Sequence, residues 1–174
     1  MQRYSLKPLF TREEILARTS LIAQQISSDY QGGQPVMVGV LNGAFVFLAD
    51  VIRYLTIDAA IDFVQVSSYG SSKCSSGTCI LLKDISVDIA GRDVLIVEDI
   101  IDTGDTLQFL VQHLRAKKPQ SIKICSLLDK RANRSRNILI DYCGFTIHDE
   151  FVVGFGLDYA EKFRALPALY VLTD

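Results

Sequence analysis

The run Val94-Leu95-Ile96-Val97-Glu98-Asp99-Ile100-Ile101-Asp102-Thr103-Gly104-Asp105-Thr106 constrains this chain most, because it writes a strand, a turn and a helix start in one stretch. Val94 to Val97 is short, continuous and β-branched, the pattern of a parallel strand covered on both faces. Beyond the turn, Leu107, Leu110, Val111 and Leu114 recur at helical spacing, which predicts a helix from about Thr106 with its apolar stripe on the sheet. A strand feeding a helix through Thr-Gly-Asp-Thr presents several backbone N–H groups at the positive end of the helix dipole. A phosphate can be held there without any lysine. Glu98, Asp99 and Asp102 stand beside that cradle. Such carboxylates repel a phosphate unless they serve sugar hydroxyls, bound Mg²⁺ or a proton to be removed. Read without a ligand, the same residues are a helix N-cap with acids favoured by the dipole.

The rest of the chain alternates helix and strand without a linker or repeat. Thr11-Arg12-Glu13-Glu14 is a capping-box pattern, and Ile15, Thr19, Ile22, Ala23 and Ile26 continue one face of an outer helix. Gly32, Gly33 and Pro35 mark a turn, and Val36 to Leu41 reads as the next buried strand. Asn42-Gly43 ends it; Ala44, Phe47, Leu48, Val51, Ile52 and Leu55 form a second helical stripe. Further strands are expected near Ala59–Val66, Cys79–Leu82 and Ile122–Leu128, with weaker ones near Ile138–Tyr142 and Phe151–Val153. The alternation predicts an α/β fold, a mainly parallel sheet flanked by helices, with ligands outside the carboxyl ends of the strands. Between two of these strands, residues 67 to 79 hold six serines and two glycines, a length and composition that suit either a lid or plain disorder.

At 174 residues and 49% apolar, the chain fits one domain with a sizeable core. A net charge of −2 gives no basic footprint, which argues against nucleic acid as a partner. The apolar stretch Ala44 to Ile52 is too short to span a bilayer and is broken by Asp50, and the N-terminus lacks a signal-peptide core. No membrane partner and a cytoplasmic location are therefore expected. The four cysteines, at 74, 79, 125 and 143, show no paired CxxC spacing and read as free thiols. His113 and His148 lack metal-ligand spacing and read as surface residues.

Val97-Glu98-Asp99-Ile100-Ile101-Asp102-Thr103-Gly104-Asp105-Thr106-Leu107 resembles the phosphoribosyl-pyrophosphate (PRPP) motif of type I phosphoribosyltransferases, in the version found in the hypoxanthine/guanine phosphoribosyltransferases. The resemblance extends from about residue 10 onward. It includes Leu41-Asn42-Gly43-Ala44, the serine-rich segment with Ser68-Tyr69, and a C-terminal part with Ser126 to Arg131 and Phe151 to Tyr159. It implies the type I phosphoribosyltransferase fold, a single domain over residues 1–174 with a small hood made by the N-terminal segment and about residues 145–174. It implies a purine-salvage enzyme using PRPP, Mg²⁺ and a 6-oxopurine base, assembled as a homodimer or homotetramer.

The resemblance also distributes roles. The 5′-phosphate falls to Asp102, Thr103, Gly104, Asp105 and Thr106, the ribose to Glu98 and Asp99, and proton handling at the base to Asp102. Pyrophosphate falls to Leu41, Asn42 and Gly43, across a cis Leu41–Asn42 bond, with Ser68, Tyr69 and Arg164. The base falls to Lys130, Phe151, Val152 and Asp158, and the metal to Glu98, Asp99 and Asp158. Two positions depart from the family's habit: Asn42, where lysine is frequent, and Asp105, where an uncharged or basic residue is frequent.

Taken alone, Asn42-Gly43 is an ordinary turn, Lys130 a solvated lysine at a strand end, Phe151 a core aromatic and Arg164 a surface arginine. Two other functions fit parts of the pattern. One is a PRPP-binding regulator of the same fold without catalysis, which should carry a basic surface or an added nucleic-acid module. The other is a Mg²⁺-carboxylate phosphatase or receiver-like domain built on the acids near Asp99 and Asp102.

Overall fold

The computed structural model describes residues 4–68 and 79–173. Nine strands and three α-helices are assigned among them: β1 Ser5–Phe10, α1 Arg12–Asp29, β2 Val36–Leu41, α2 Phe45–Tyr54, β3 Ala60–Ser68, β4 Cys79–Lys83, β5 Asp93–Ile101, α3 Asp105–Arg115, β6 Ser121–Lys130, β7 Tyr142–Ile147, β8 Val152–Val153 and β9 Leu169–Thr173. A short 3₁₀ turn, Arg131–Asn133, follows β6. Six strands form one sheet in the order β4-β3-β2-β5-β6-β7, parallel except for the β3–β4 pair, and β1-β9-β8 form a second, antiparallel sheet.

β5 shows why the sequence folds this way. Val94 and Ile96 point into one apolar cluster with Leu107, Leu110 and Leu114 of α3. Leu95 and Val97 point into the other, with Ile15, Ile22 and Ile26 of α1 and Phe47, Leu48 and Val51 of α2. All four strand residues are fully buried. Each aliphatic side chain so buried contributes about 1.5–3 kcal/mol, so a polar residue at either parity would be costly. α1 is capped as its first residues predict: Thr11 Oγ1 accepts from Glu14 N at 3.2 Å, and Thr11 N donates to Glu14 Oε2 at 2.8 Å.

Several expectations shift. The weak strand expected at Ile138–Tyr142 lies instead at Tyr142–Ile147; Ile138 and Ile140 still pack against the α3 cluster, but from the loop before it. α2 buries Phe47, Leu48 and Val51, while Ile52 is exposed and Leu55 follows the helix. β1 and β9 were not expected at all. β1 carries Pro8, where the pairing register slips, and its partner lies more than 150 residues away, so neither segment has a local signal. Tyr69 and the serine-rich positions up to Thr78, where the sequence allows either a lid or plain disorder, lie outside the described residues.

Candidate active site

The carboxyl ends of β2, β5 and β6 are neighbours, so three connections that are far apart in sequence open on one edge of the sheet. β2 ends in Leu41-Asn42-Gly43, with the Leu41–Asn42 peptide bond cis. β5 ends at Ile101 and turns through Asp102, Thr103 and Gly104 into α3. Gly104 caps that helix with φ +89°, a left-handed conformation that suits glycine. β6 ends on Lys130.

The first two connections touch. A Cβ on Gly43 would lie inside the carboxylate of Asp99, so only glycine lets the Asn42-Gly43 turn close on that acid. Asp99 is held by Ile100 N, which donates to Oδ1 at 2.8 Å. Its neighbour Glu98 is 6% exposed. Burial, reinforced by the Asp99 charge, pushes the Glu98 carboxyl well above the ordinary carboxylate range. Asp99 is raised as well, again mainly by burial.

Asp99, Asp102, Lys130, Glu150, Phe151, Val152 and Asp158 line one cleft of about 220 Å³. Lys130 Nζ stands 3.9 Å from Asp102 Oδ2 and 3.0 Å from Asp149 Oδ1. Taken alone a strand-end lysine reads as solvated, but Lys130, assigned by the resemblance to the base, is only 8% exposed. The correction is physical: β6 runs between β5 and β7, so its last residue is walled in, and the ammonium is kept there by two carboxylates. Phe151 is the reverse case. It is half exposed rather than core, and its ring is braced edge-on by Tyr159 at 5.4 Å, itself met edge-on by Tyr4 at 5.4 Å.

Arg164 is likewise no free surface residue. It donates to Gly156 O at 2.8 Å and pairs with Asp158 Oδ1 at 2.7 Å, while Asp158 Oδ2 accepts from Glu161 N. Gly156 in turn faces the carbonyl of Gly43, which sets the C-terminal loop against the Asn42 turn. Ser68 is the last residue of β3, and Tyr69 lies outside the described residues. Asp105 opens α3, but its carboxylate pairs with Arg136 instead of entering the cleft.

Among the described residues no three His, Cys, Asp or Glu side chains converge on a metal position, so Glu98, Asp99 and Asp158 do not form one cluster. The thiols of Cys79, Cys125 and Cys143 are free, as expected. His113 pairs with Asp84 at 3.0 Å, and His148 is exposed. Sequence reasoning missed Asp149, Glu150 and Arg136. The first two lie in an unremarkable His-Asp-Glu turn, and Arg136 lies five residues past the basic Lys130-Arg131 turn with no motif to mark it.

A family model described as "Phosphoribosyl transferase domain" matches residues 7–160. A hypoxanthine-guanine phosphoribosyltransferase of Bacillus subtilis is 46% identical over 166 residues, covering 95% of this chain and 92% of that protein. The chain belongs to the hypoxanthine-guanine phosphoribosyltransferase family. The solved hypoxanthine-guanine phosphoribosyltransferase of Bacillus anthracis superposes with a TM-score of 0.93 at 44% identity, covering 97% of this chain and all of that one. A hypoxanthine phosphoribosyltransferase of Staphylococcus aureus gives 0.92 at 41%, covering 96% and 91%. The fold is the type I phosphoribosyltransferase fold, and the chain is a transferase of purine salvage rather than a regulator that has lost catalysis. No helix among the described residues is long and apolar enough to cross a membrane.

Proposed function

We propose that the chain transfers the 5-phosphoribosyl group from PRPP to N9 of hypoxanthine or guanine, releasing pyrophosphate and forming IMP or GMP. The observation that carries this reading is the buried Lys130 ammonium beside the Asp102 carboxylate in a cleft walled by Phe151 and Val152. A donor and an acceptor side by side fit the O6 and N7 edge of a 6-oxopurine. Adenine would set an amino donor against the lysine donor.

In this reading the backbone N–H groups of Thr103 to Thr106, together with the Thr106 hydroxyl, seat the 5′-phosphate at the start of α3, with Gly104 allowing the close approach. Asp99 and Glu98 take the ribose hydroxyls, and the Leu41-Asn42-Gly43 turn takes pyrophosphate together with Arg164, Ser68 and Tyr69. Phe151 stacks on the base, and Val152 meets its edge. As the bond to pyrophosphate lengthens, positive charge develops on the ribose and N9 attacks. Asp102 accepts or hydrogen-bonds the N7 proton, which makes the base the better nucleophile. Arg164 and the turn amides stabilise the departing anion.

Asp99 and Asp158 line the same cleft, and Mg²⁺ usually takes one or two carboxylates with the remaining ligands from substrate phosphates, so these residues fit the metal as Mg²⁺-PRPP. Asp99 and Asp158 would hold it, with Glu98 buried behind Asp99, and bound metal would neutralise charge on pyrophosphate. The β1-β9-β8 sheet and the loops around it would form a hood over the base within a single domain. The reading places the enzyme in the cytoplasm, with its charged substrate. It also carries the homodimer or homotetramer expectation, supported by Phe45 and Ile52, exposed seven residues apart on α2. Nucleotide formation from PRPP with hypoxanthine, guanine, xanthine and adenine tests the function. Turnover of adenine above both 6-oxopurines would refute it.

A further inference from the structure

Asp105 places a negative charge at the first residue of α3, where the preceding reading seats a dianionic phosphate. A carboxylate there suits the helix dipole and opposes the ligand. The structure turns it away. Asp99, Asp102 and Asp158 line the cleft, whereas Asp105 lines a separate depression with Cys79, Gln108, Phe109, Gln112 and Arg136. Arg136 Nε donates to Asp105 Oδ1 at 2.7 Å, and this hydrogen bond is the main reason the Asp105 carboxyl lies below its ordinary range.

Arg136 is itself fixed by the phosphate loop. Thr103 O accepts from Arg136 N at 3.3 Å, from Ser135 N at 3.1 Å and from Ser135 Oγ at 3.2 Å. At the other end of this strap, next to Lys130, Asp129 is buried and accepts from Arg131 and Arg134. The strap thus runs from the lysine proposed to read the base back to the loop proposed to hold the phosphate. Its Arg136–Asp105 pair is exposed, at 51% and 40% of the two side chains, so as a mechanical tie it is weak. Its consequence is the charge presented beside the cradle.

We propose that Arg136 is a positioning residue for PRPP, holding the Asp105 carboxylate out of the phosphate cradle and cancelling its charge. The proposal rests on the reading of Asp102 to Thr106 as the phosphate seat. The native pair has no net charge; Arg136→Gln leaves −1, Asp105→Asn leaves +1, and the double variant returns to zero. KM for PRPP follows that order: up about three- to tenfold in Arg136→Gln, down about two- to fivefold in Asp105→Asn, and within about twofold of the parent in the double variant. KM for hypoxanthine does not follow it, and 0.5 M NaCl compresses the spread, as about 4 Å of Debye screening requires.

Both single variants and the double variant equally impaired would overturn the proposal, because the pair would then be a strut. A double variant as weak as Arg136→Gln would also overturn it, because Arg136 would then touch the phosphate itself. Thr106→Val separates this from the underlying reading, through affinity for inosine 5′-monophosphate against inosine. If Thr106→Val weakens only the monophosphate while the charge order is absent, the Arg136 proposal alone falls. If Thr106→Val leaves the preference for the monophosphate intact, the phosphate seat is elsewhere and both fall.

Discussion

Gly43→Ala is the sharpest single perturbation the structure offers. The added Cβ would sit 2.5 Å from Asp99 Cγ and 3.1 Å from Oδ1, and would overlap Oδ2. Ordinary contacts begin near 3.4 Å, so the turn or the carboxylate must move by about 1.5–2 Å to clear Oδ2. The carboxylate is not free to swing, because Ile100 N holds Oδ1 at 2.8 Å and the residue is packed beside buried Glu98. Overpacking of this kind costs about 1–3 kcal/mol. For a chain of this size each kcal/mol lowers Tm by about 2–4 °C, so calorimetry should show a fall of about 2–12 °C. A displacement of about 1 Å in the groups that position substrate already lowers kcat/KM by about 10²-fold, to be read with PRPP and hypoxanthine. Asp99→Ala removes the obstacle. The alanine at position 43 should then cost little extra stability in that background, a strongly non-additive pair. Parental Tm and kcat/KM in Gly43→Ala, or an undiminished Tm loss in the Asp99→Ala background, would show that the turn does not close on Asp99.

Asp102→Asn is nearly isosteric and should retain Mg²⁺-PRPP while slowing the chemical step about 10²–10⁴-fold in single-turnover assays; near-normal turnover would remove Asp102 from proton handling. Lys130→Gln loses a charged donor to O6, worth about 1.5–3 kcal/mol, so kcat/KM for hypoxanthine and guanine should fall about 10- to 150-fold. Unchanged values would move the base site elsewhere. Burial works to raise the Asp62 carboxyl but is outweighed by the N–H groups of Val87, Phe63 and Ser86 and by Lys83, which hold it at about 2. A carboxylate depressed in the folded state stabilises above its unfolded pKa near 4, and that stability drains away as pH falls toward 2. Urea unfolding should therefore show Asp62→Asn less stable by about 2 kcal/mol at pH 7, with the gap closing below pH 4; a gap independent of pH would exclude the linkage.

Legibility followed the range of the forces involved. The strand β5, its turn and α3 were readable because each rests on neighbours a few residues away: a β-branched run, a glycine at positive φ and an i, i+3, i+4 stripe. The Thr11 cap and the Val36–Leu41 strand were readable for the same reason. β7 was misplaced by several residues because both Ile138 and Ile140 are apolar and partly buried against the α3 cluster while belonging to a loop. Apolarity reports burial, and burial does not require a ladder of backbone hydrogen bonds.

By itself the sequence determined a buried parallel sheet, a phosphate-ready turn with acids beside it, and membership of a family whose motifs recur in order. Tertiary structure alone decided which charges face the cleft. Lys130 is desolvated because β5 and β7 flank it; Asp105 is turned aside by an arginine 31 residues later; Phe151 is exposed because Tyr159 and Tyr4 support it from behind. The β1–β9 pairing joins the two ends of the described chain. Local backbone preference falls off within a turn or two of the chain. Electrostatic environment and solvent exposure are set by whatever side chains arrive from elsewhere, and only the folded arrangement specifies those.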